Sequence, residues 1–497
     1  MSRTFHSLRY PNYRLWFVGS TVANTGTWMM RTAMSWLVLT ELTLNDAIAV
    51  GIVVALQFGP ALIFSPMAGA LADRSDRRKL LMVTQAFAGL AALALGLLVL
   101  SGAAELWHVY VFAAVTGSVA AFDSPARQTY VSDMVPPADL PNAVGLNSTS
   151  FNIARLIGPA VAGLAIEALG TGWVFVVTGI LFSGTVAALL AQRVADLTPV
   201  PRPKRTKRMV RDGLAYVRSR SDIVIIMVVV GVTSALGLNF AITSAVMATE
   251  AFGKDAGEYG IIGSVTAIGS LAGALLAARR RHPRVRLVVI SSFLFGVTTI
   301  GSALAPTFAT YLVASAFVGF ATLTMLTSAN ATIQTSTDPQ MRGRVMSLYM
   351  MVLLGTTPLG SPLVGWIANE FGARWSVAVG GIAALLVAVV AALWVWRRWD
   401  LTVDYRGGRH PHIHILGPTE RLAAEERAAR ALEVTAGEAM PGEPQRLEGA
   451  LAEEARLQAR IDDAHDAHDA HDALRDAMHD AAPDTGSAPR AHMRSTR

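Results

Sequence analysis

Gly69-Ala-Leu-Ala-Asp-Arg-Ser-Asp-Arg-Arg-Lys79 sets four basic side chains and two acids between two long apolar runs, Ala47 to Ala72 and Leu80 to Leu100. Runs of about 20 apolar residues cross a bilayer as helices. The charges cannot enter hydrocarbon cheaply, so they must turn at the membrane surface. A turn this short makes the two helices antiparallel neighbours.

Composition agrees with an all-α membrane protein. Of 497 residues, 52% are hydrophobic and only 16% charged, with a mean hydropathy of +0.42. A water-soluble chain of this size carries more charge. The net charge of +6 does not point to nucleic acid, because the basic residues cluster between apolar runs. There is no cysteine, which excludes disulfides, thiolate chemistry and iron–sulfur ligation. After the basic start Met1 to Arg14, the first apolar run continues to about Thr40. That exceeds the roughly 7–15 residues of a signal-peptide core, so it reads as the first spanning helix.

Hydropathy predicts about twelve spans, near 15–40, 47–72, 80–100, 106–126, 143–167, 173–192, 223–249, 258–278, 287–305, 308–330, 346–369 and 375–396. Residues 1–192 form a first half of six spans and residues 223–398 a second. Between them, residues 193–222 form a basic linker with Pro199, Pro201 and Pro203. Residues 399–497 read as a low-complexity, largely disordered tail in which Ala-His-Asp repeats. Its histidines, His465, His468 and His471, are read as solvated rather than metal-binding, and no metal or cofactor is expected.

Arg74, Arg77 to Lys79, the linker, Arg279 to Arg281, Arg342, Arg344, Arg397 and Arg398 fall on one set of loops. Lys254 and Arg374 fall on the other. The positive-inside rule places the first set, with both termini, in the cytoplasm of a cell-membrane protein.

The halves repeat. Gly158, Gly163, Gly170 and Trp173 recur as Gly360, Gly365, Gly372 and Trp375, each pair 202 residues apart, and Arg77 to Lys79 recur as Arg279 to Arg281 at the same offset. A six-span unit used twice in one orientation is the parallel repeat of two transporter halves.

Gly69-x-Leu-x-Asp73-Arg74-x-x-Arg77-Arg78-Lys79 resembles the signature loop of the major facilitator superfamily. Asp76 stands where the family pattern has glycine, which predicts a less tight turn. Gly158-Pro159-x-x-x-Gly163 resembles the family's antiporter motif, with Ala162 in place of its penultimate glycine. Asp123-Ser-Pro-Ala-Arg127, Leu140-Pro-Asn-Ala143 and Asn152-x-x-Arg155-x-x-Gly158-Pro159 look like the enterobactin-exporter-like branch, which holds siderophore and macrolide exporters.

The resemblance implies two six-helix halves that rock about a central cavity, exporting amphipathic drug-like or siderophore-like molecules against protons. It implies that Gly69, Asp73, Arg74, Arg77 and Arg78 form a latch that holds the cytoplasmic side closed. Asp73 would cap a second-half helix near Val345, and Arg77 would pair with Asp123.

Charged groups inside a membrane are costly, about 2.5–3.5 kcal/mol on insertion scales. That draws attention to Arg31 and Arg155. Asn24, Trp28 and Arg31 share one helix face, as do Ser148, Asn152 and Arg155. Both stripes are candidates for contact with an anionic or oxygen-rich substrate, with Trp28 stacking on a ring. Asn239 and Ser328 are the second-half candidates. Gly158, Pro159 and Gly163 are read as a bend and close-packing motif.

No acid sits in the middle of the first span. The candidate proton carriers are therefore Asp123 and the peripheral Glu41, Asp46, Glu167 and Glu250. No phosphate-binding loop and no intramembrane catalytic cluster is present, so ATP drive and an enzyme are disfavoured. An importer and a non-transporting receptor or scaffold are the alternatives.

Overall fold

A computed structural model describes residues 3–197, 209–278, 285–338, 341–398, 402–406 and 412–416. The first half holds α1 (Pro11–Trp36), α2 (Ala47–Arg74), α3 (Arg77–Leu100), α4 (Leu106–Tyr130), α5 (Leu140–Leu169) and α6 (Thr171–Leu190). A short α7 (Met209–Ser219) follows in the linker. The second half holds α8 (Ser221–Leu236) with α9 (Phe240–Val246), then α10 (Ala256–Ala278), α11 (Val285–Ala303) and α12 (Phe308–Ser336). It closes with α13 (Arg342–Gly355), α14 (Thr357–Phe371) and α15 (Ala373–Arg398).

Among the described residues, eleven segments from Ala47 onward are long and apolar enough to cross a membrane. The other predicted span, α1, continues as a π-helical turn over Leu37–Leu42 and is long enough, but Asn24 and Arg31 interrupt its apolar character. Large apolar side chains such as Leu97, Ile180, Leu275, Phe317 and Leu386 project outward, as a lipid-facing surface requires.

Helix ends follow local chemistry. The Asp46 carboxylate accepts from the N–H groups of Ile48 (2.9 Å) and Ala49 (3.2 Å) and starts α2. Asp76 accepts from the Lys79 N–H at 3.2 Å and starts α3. The turn between α2 and α3 is only Ser75 and Asp76. Here the Asp76 cap ends the connection within two residues.

The repeat is structural. Gly170 and Gly372 both adopt left-handed backbone, at φ +84° and +89°, where a side chain would be strained. They make the one-residue turns α5–α6 and α14–α15. Both halves also end their first span in a π-helical turn, Leu37–Leu42 and Met247–Ala251. The copies differ at two places. The seventh span breaks between α8 and α9 at Gly237 to Asn239, and the eleventh breaks at Thr356, whereas α1 and α5 are not interrupted.

The basic linker carries a helix of its own. There α7 packs on α13, where a methyl at Gly213 would lie 3.2 Å from the Arg344 Cβ and 3.3 Å from Leu348. Beyond Arg398, Thr402–Arg406 and His412–Leu416 form an antiparallel ribbon, with Val403 opposite Ile415 and Tyr405 opposite Ile413. This is local order at the start of the expected disordered tail. The tail histidines lie outside the described residues.

Candidate substrate site and gates

The helix ends that carry the α2–α3 turn are called here the basic end, and the opposite ends the far end. Near the far end the halves meet through α5 against α10 and α2 against α14. Glycine makes both contacts possible. A methyl at Gly163 would run into the Ala256 carbonyl and lie 3.1 Å from the Gly260 Cα. A methyl at Gly263 would lie 2.9 Å from the Pro159 Cβ. Across the pseudo-twofold, a methyl at Gly365 would meet the Ala47 carbonyl, and one at Gly51 would lie 2.6 Å from the Ser361 carbonyl. Such backbone-to-backbone approach is how small residues drive helix association in membranes.

Hydrogen bonds reinforce these contacts. Ser264 donates to the Leu156 carbonyl at 2.6 Å, and Ser361 to the Gly51 carbonyl at 3.0 Å. The Asn369 side chain accepts from the Ala47 N–H and donates to Asp46, both at 2.8 Å. One amide thus ties the cap of α2 to the opposite half. Asn369→Ala should weaken far-end closure, raising labelling of a nearby introduced cysteine from that side several-fold; unchanged labelling would show that the glycine contacts suffice alone.

Gly158 has a separate role. A methyl there would approach the Trp28 Cβ to 2.5 Å, so its absence lets α1 cross α5 at Trp28. The crossing gathers the first-half candidates. The Arg31 guanidinium lies 4.6 Å from the Phe58 ring centroid and 5.4 Å from that of Trp28. Arg155 lies 5.9 Å from the Trp28 centroid, and Phe151 packs edge-on at 6.1 Å. Asn24 and Asn152 lie one turn from these groups on their own helices. Arg31 and Arg155 are each half-buried. Among the described residues neither has a carboxylate or a hydrogen-bond partner. The Arg155 turn lies directly on the basic-end side of the α5–α10 contact.

Other candidates fall elsewhere. Ser148 donates to the Val144 carbonyl and the Asn152 amide to the Ser148 carbonyl, so both donors are used within α5. Asn239 and Ser328 are buried in the second half, each with a side-chain oxygen that has no hydrogen-bond partner among the described residues. They belong to its interior and do not join the α1–α5 cluster. Phe58, on α2, is the site residue that the sequence reading missed.

The basic end corrects one pairing. Arg77 binds Asp133 at 2.6 Å, not Asp123. Asp133 lies in the short turn after α4, level with the start of α3, whereas Asp123 lies two turns inside α4. There Asp123 accepts from Thr84 (2.8 Å), Gln85 (2.8 Å) and Arg127 (2.7 Å). Arg78 donates to the Leu189 and Leu190 carbonyls at the end of α6. These bonds stay inside the first half and brace it as one body. They do not bridge the halves. Arg74 is exposed, Gly69 is buried near the end of α2, and the Asp73 side chain lies outside the described residues.

At the same end, Asp139 accepts from Tyr10 (2.6 Å) and Arg9 (2.9 Å), tying the amino-terminal segment to the start of α5. The Tyr10 hydroxyl, with Arg9 and His6 behind it, holds this carboxyl below its ordinary range.

Comparison with known proteins places this architecture. Residues 2–411 match the family model described as transmembrane secretion effector. The staphyloferrin A transporter of Staphylococcus aureus is 25% identical over 380 residues, covering 76% of this chain and 94% of that one. The multidrug efflux pump Tap of Mycolicibacterium fortuitum is 27% identical over 384 residues, covering 74% and 92%. The enterobactin exporter EntS of Shigella boydii is 23% identical over 391 residues, covering 77% and 92%. A bacterial homologue of the lysosomal transporter Spinster, solved inward-facing and occupied, superposes with a TM-score of 0.62 at 15% identity, covering 77% and 96%. The chain is thus a multi-span membrane transporter of the major facilitator superfamily, and it belongs to the transmembrane secretion effector family.

Proposed function

We propose that the chain exports amphipathic small molecules, drug-like or siderophore-like, by alternating access, with its basic end and both termini in the cytoplasm of a bacterial cell. The arginine pair around Trp28, on the basic-end side of the packed far end, carries this reading. It is a polar, charged site set between apolar helices, where a cargo entering from the cytoplasm would stop. The efflux proteins among its relatives support the outward direction.

The latch is part of the proposal. With Arg77 and Arg78 committed to the first half, the bond that closes the cytoplasmic side falls to the Gly69–Arg74 stretch, through Asp73 at the amino-terminal end of α13. A carboxylate there is favoured by the helix dipole. Asp73→Asn should lower turnover about tenfold at unchanged expression, the equivalent of about 1.4 kcal/mol; equal loss of expression and flux would assign the residue to folding.

Proton antiport needs an acid that changes partners between states. Three donors, one of them an arginine, already hold Asp123, which makes it a poor carrier. Glu41, Asp46, Glu167 and Glu250 at the far end are the remaining candidates.

Everted vesicles test the direction. An exporter accumulates cargo inside them when they are energised, and an importer does not.

A further inference from the structure

Two guanidinium groups, Arg31 and Arg155, flank Trp28 in the middle of an apolar bundle without a counterion among the described residues. An unpaired ion half-buried among apolar helices is less favourable than a paired one, though by less than the several kcal/mol of a fully buried charge. The aromatic faces of Trp28 and Phe58 offset only part of this, about 0.5–2 kcal/mol for each cation–π contact. Arginine does not lose its proton in proteins, so neutralising the group by deprotonation is closed. The deficit persists until an anion enters. A neutral cargo leaves it, and a cationic cargo deepens it. The rings of Trp28, Phe58 and Phe151 beside the charges suit a flat aromatic body, and each guanidinium can grip a carboxylate with two parallel donors.

Resting on the export reading above, we propose that the cargo is an aromatic anion bearing carboxylate groups, and that the membrane potential itself drives its exit. The arginines return with the empty carrier. The net charge moved in each cycle is therefore the charge of the cargo. A cell interior is electrically negative, so expelling an anion is downhill without any exchanged proton. Of the candidate acids, Asp123 is engaged with Thr84, Gln85 and Arg127, and Glu41, Asp46, Glu167 and Glu250 lie at the far end, outside the arginine site. The site itself presents fixed charge through the whole cycle.

The test uses the full chain in liposomes at equal pH on both sides, with valinomycin and a potassium gradient setting the potential. The lumen is loaded with carboxyfluorescein, an aromatic polycarboxylate. Parallel vesicles hold ethidium, an aromatic cation. An inside-negative potential of about 100 mV should speed carboxyfluorescein release and lower its final internal level about 50-fold per net charge, the equivalent of about 2.3 kcal/mol. Reversing the potential should hold the dye in.

Arg31→Gln and Arg155→Gln should each cut this release at least tenfold. Arg31→Lys, which keeps the charge, should restore a third or more of it. Equal loss in the lysine and glutamine variants would overturn charge as the cause. Carboxyfluorescein release that follows an imposed pH gradient and ignores the potential would overturn the proposed drive. Ethidium transport without carboxyfluorescein transport would leave export standing and overturn the anionic cargo. Movement of neither dye under either gradient would overturn both readings.

Discussion

Gly163→Leu should cut transport by about 10- to 100-fold while both halves stay folded. The larger side chain would have to occupy the space now held by the Ala256 carbonyl and the Gly260 Cα of the opposite half. Overpacking a close contact costs about 1–3 kcal/mol, and only the state with the far end closed contains this one. The substitution therefore acts on the balance between states and spares the halves. The readout is flux in vesicles alongside the elution profile of the purified protein. Normal flux at normal expression would mean that the α5–α10 contact is not remade during the cycle. Gly365→Leu, its counterpart 202 residues on, should behave alike through α14 and α2.

Arg77→Ala should destabilise the protein by about 3–5 kcal/mol, because it leaves the buried Asp133 carboxylate without its arginine. Both side chains are 8% exposed. Replacing both members with apolar residues, Arg77→Met with Asp133→Leu, should recover most of the loss, since a buried pair adds little net stability over a packed apolar one. Thermal unfolding in detergent measures both variants. A single variant as stable as the parent would remove the bracing role given to this pair.

These residues also show what could be read from the chain. The constant 202-residue offset exposed the duplication, and Gly163, Gly365, Gly170 and Gly372 then took equivalent places in space. Helical spacing placed Trp28 with Arg31 and Asn152 with Arg155. That the two stripes meet follows only from Gly158, whose missing side chain sets the α1–α5 crossing.

Spacing along the chain could not choose between Asp123 and Asp133 as the partner of Arg77. Both lie near the basic end of the fourth span, and only the turn after Tyr130 decides. Phe58 was illegible because an aromatic on an apolar span serves the lipid face equally well. Asn369 did leave a trace. It stands one turn beyond Gly365 as Glu167 stands one turn beyond Gly163. Polar residues repeated at the far end of two packing helices mark a place where the halves touch. The breaks at Gly237 to Asn239 and at Thr356 have no counterpart in α1 or α5, so the repeat itself concealed them.

The absence of native cysteine makes the central claim directly measurable. Spin labels on introduced cysteines at Leu44 and Leu304 report the far end of each half, and labels at Ala138 and Ser347 report the basic end; all four positions are exposed. Pulsed dipolar spectroscopy should find a short far-end distance in the resting protein. Gly163→Leu should lengthen it and shorten the basic-end distance together. Both distances fixed across the parent and the variant, while transport changes, would contradict two halves that rock about an arginine-bearing interior.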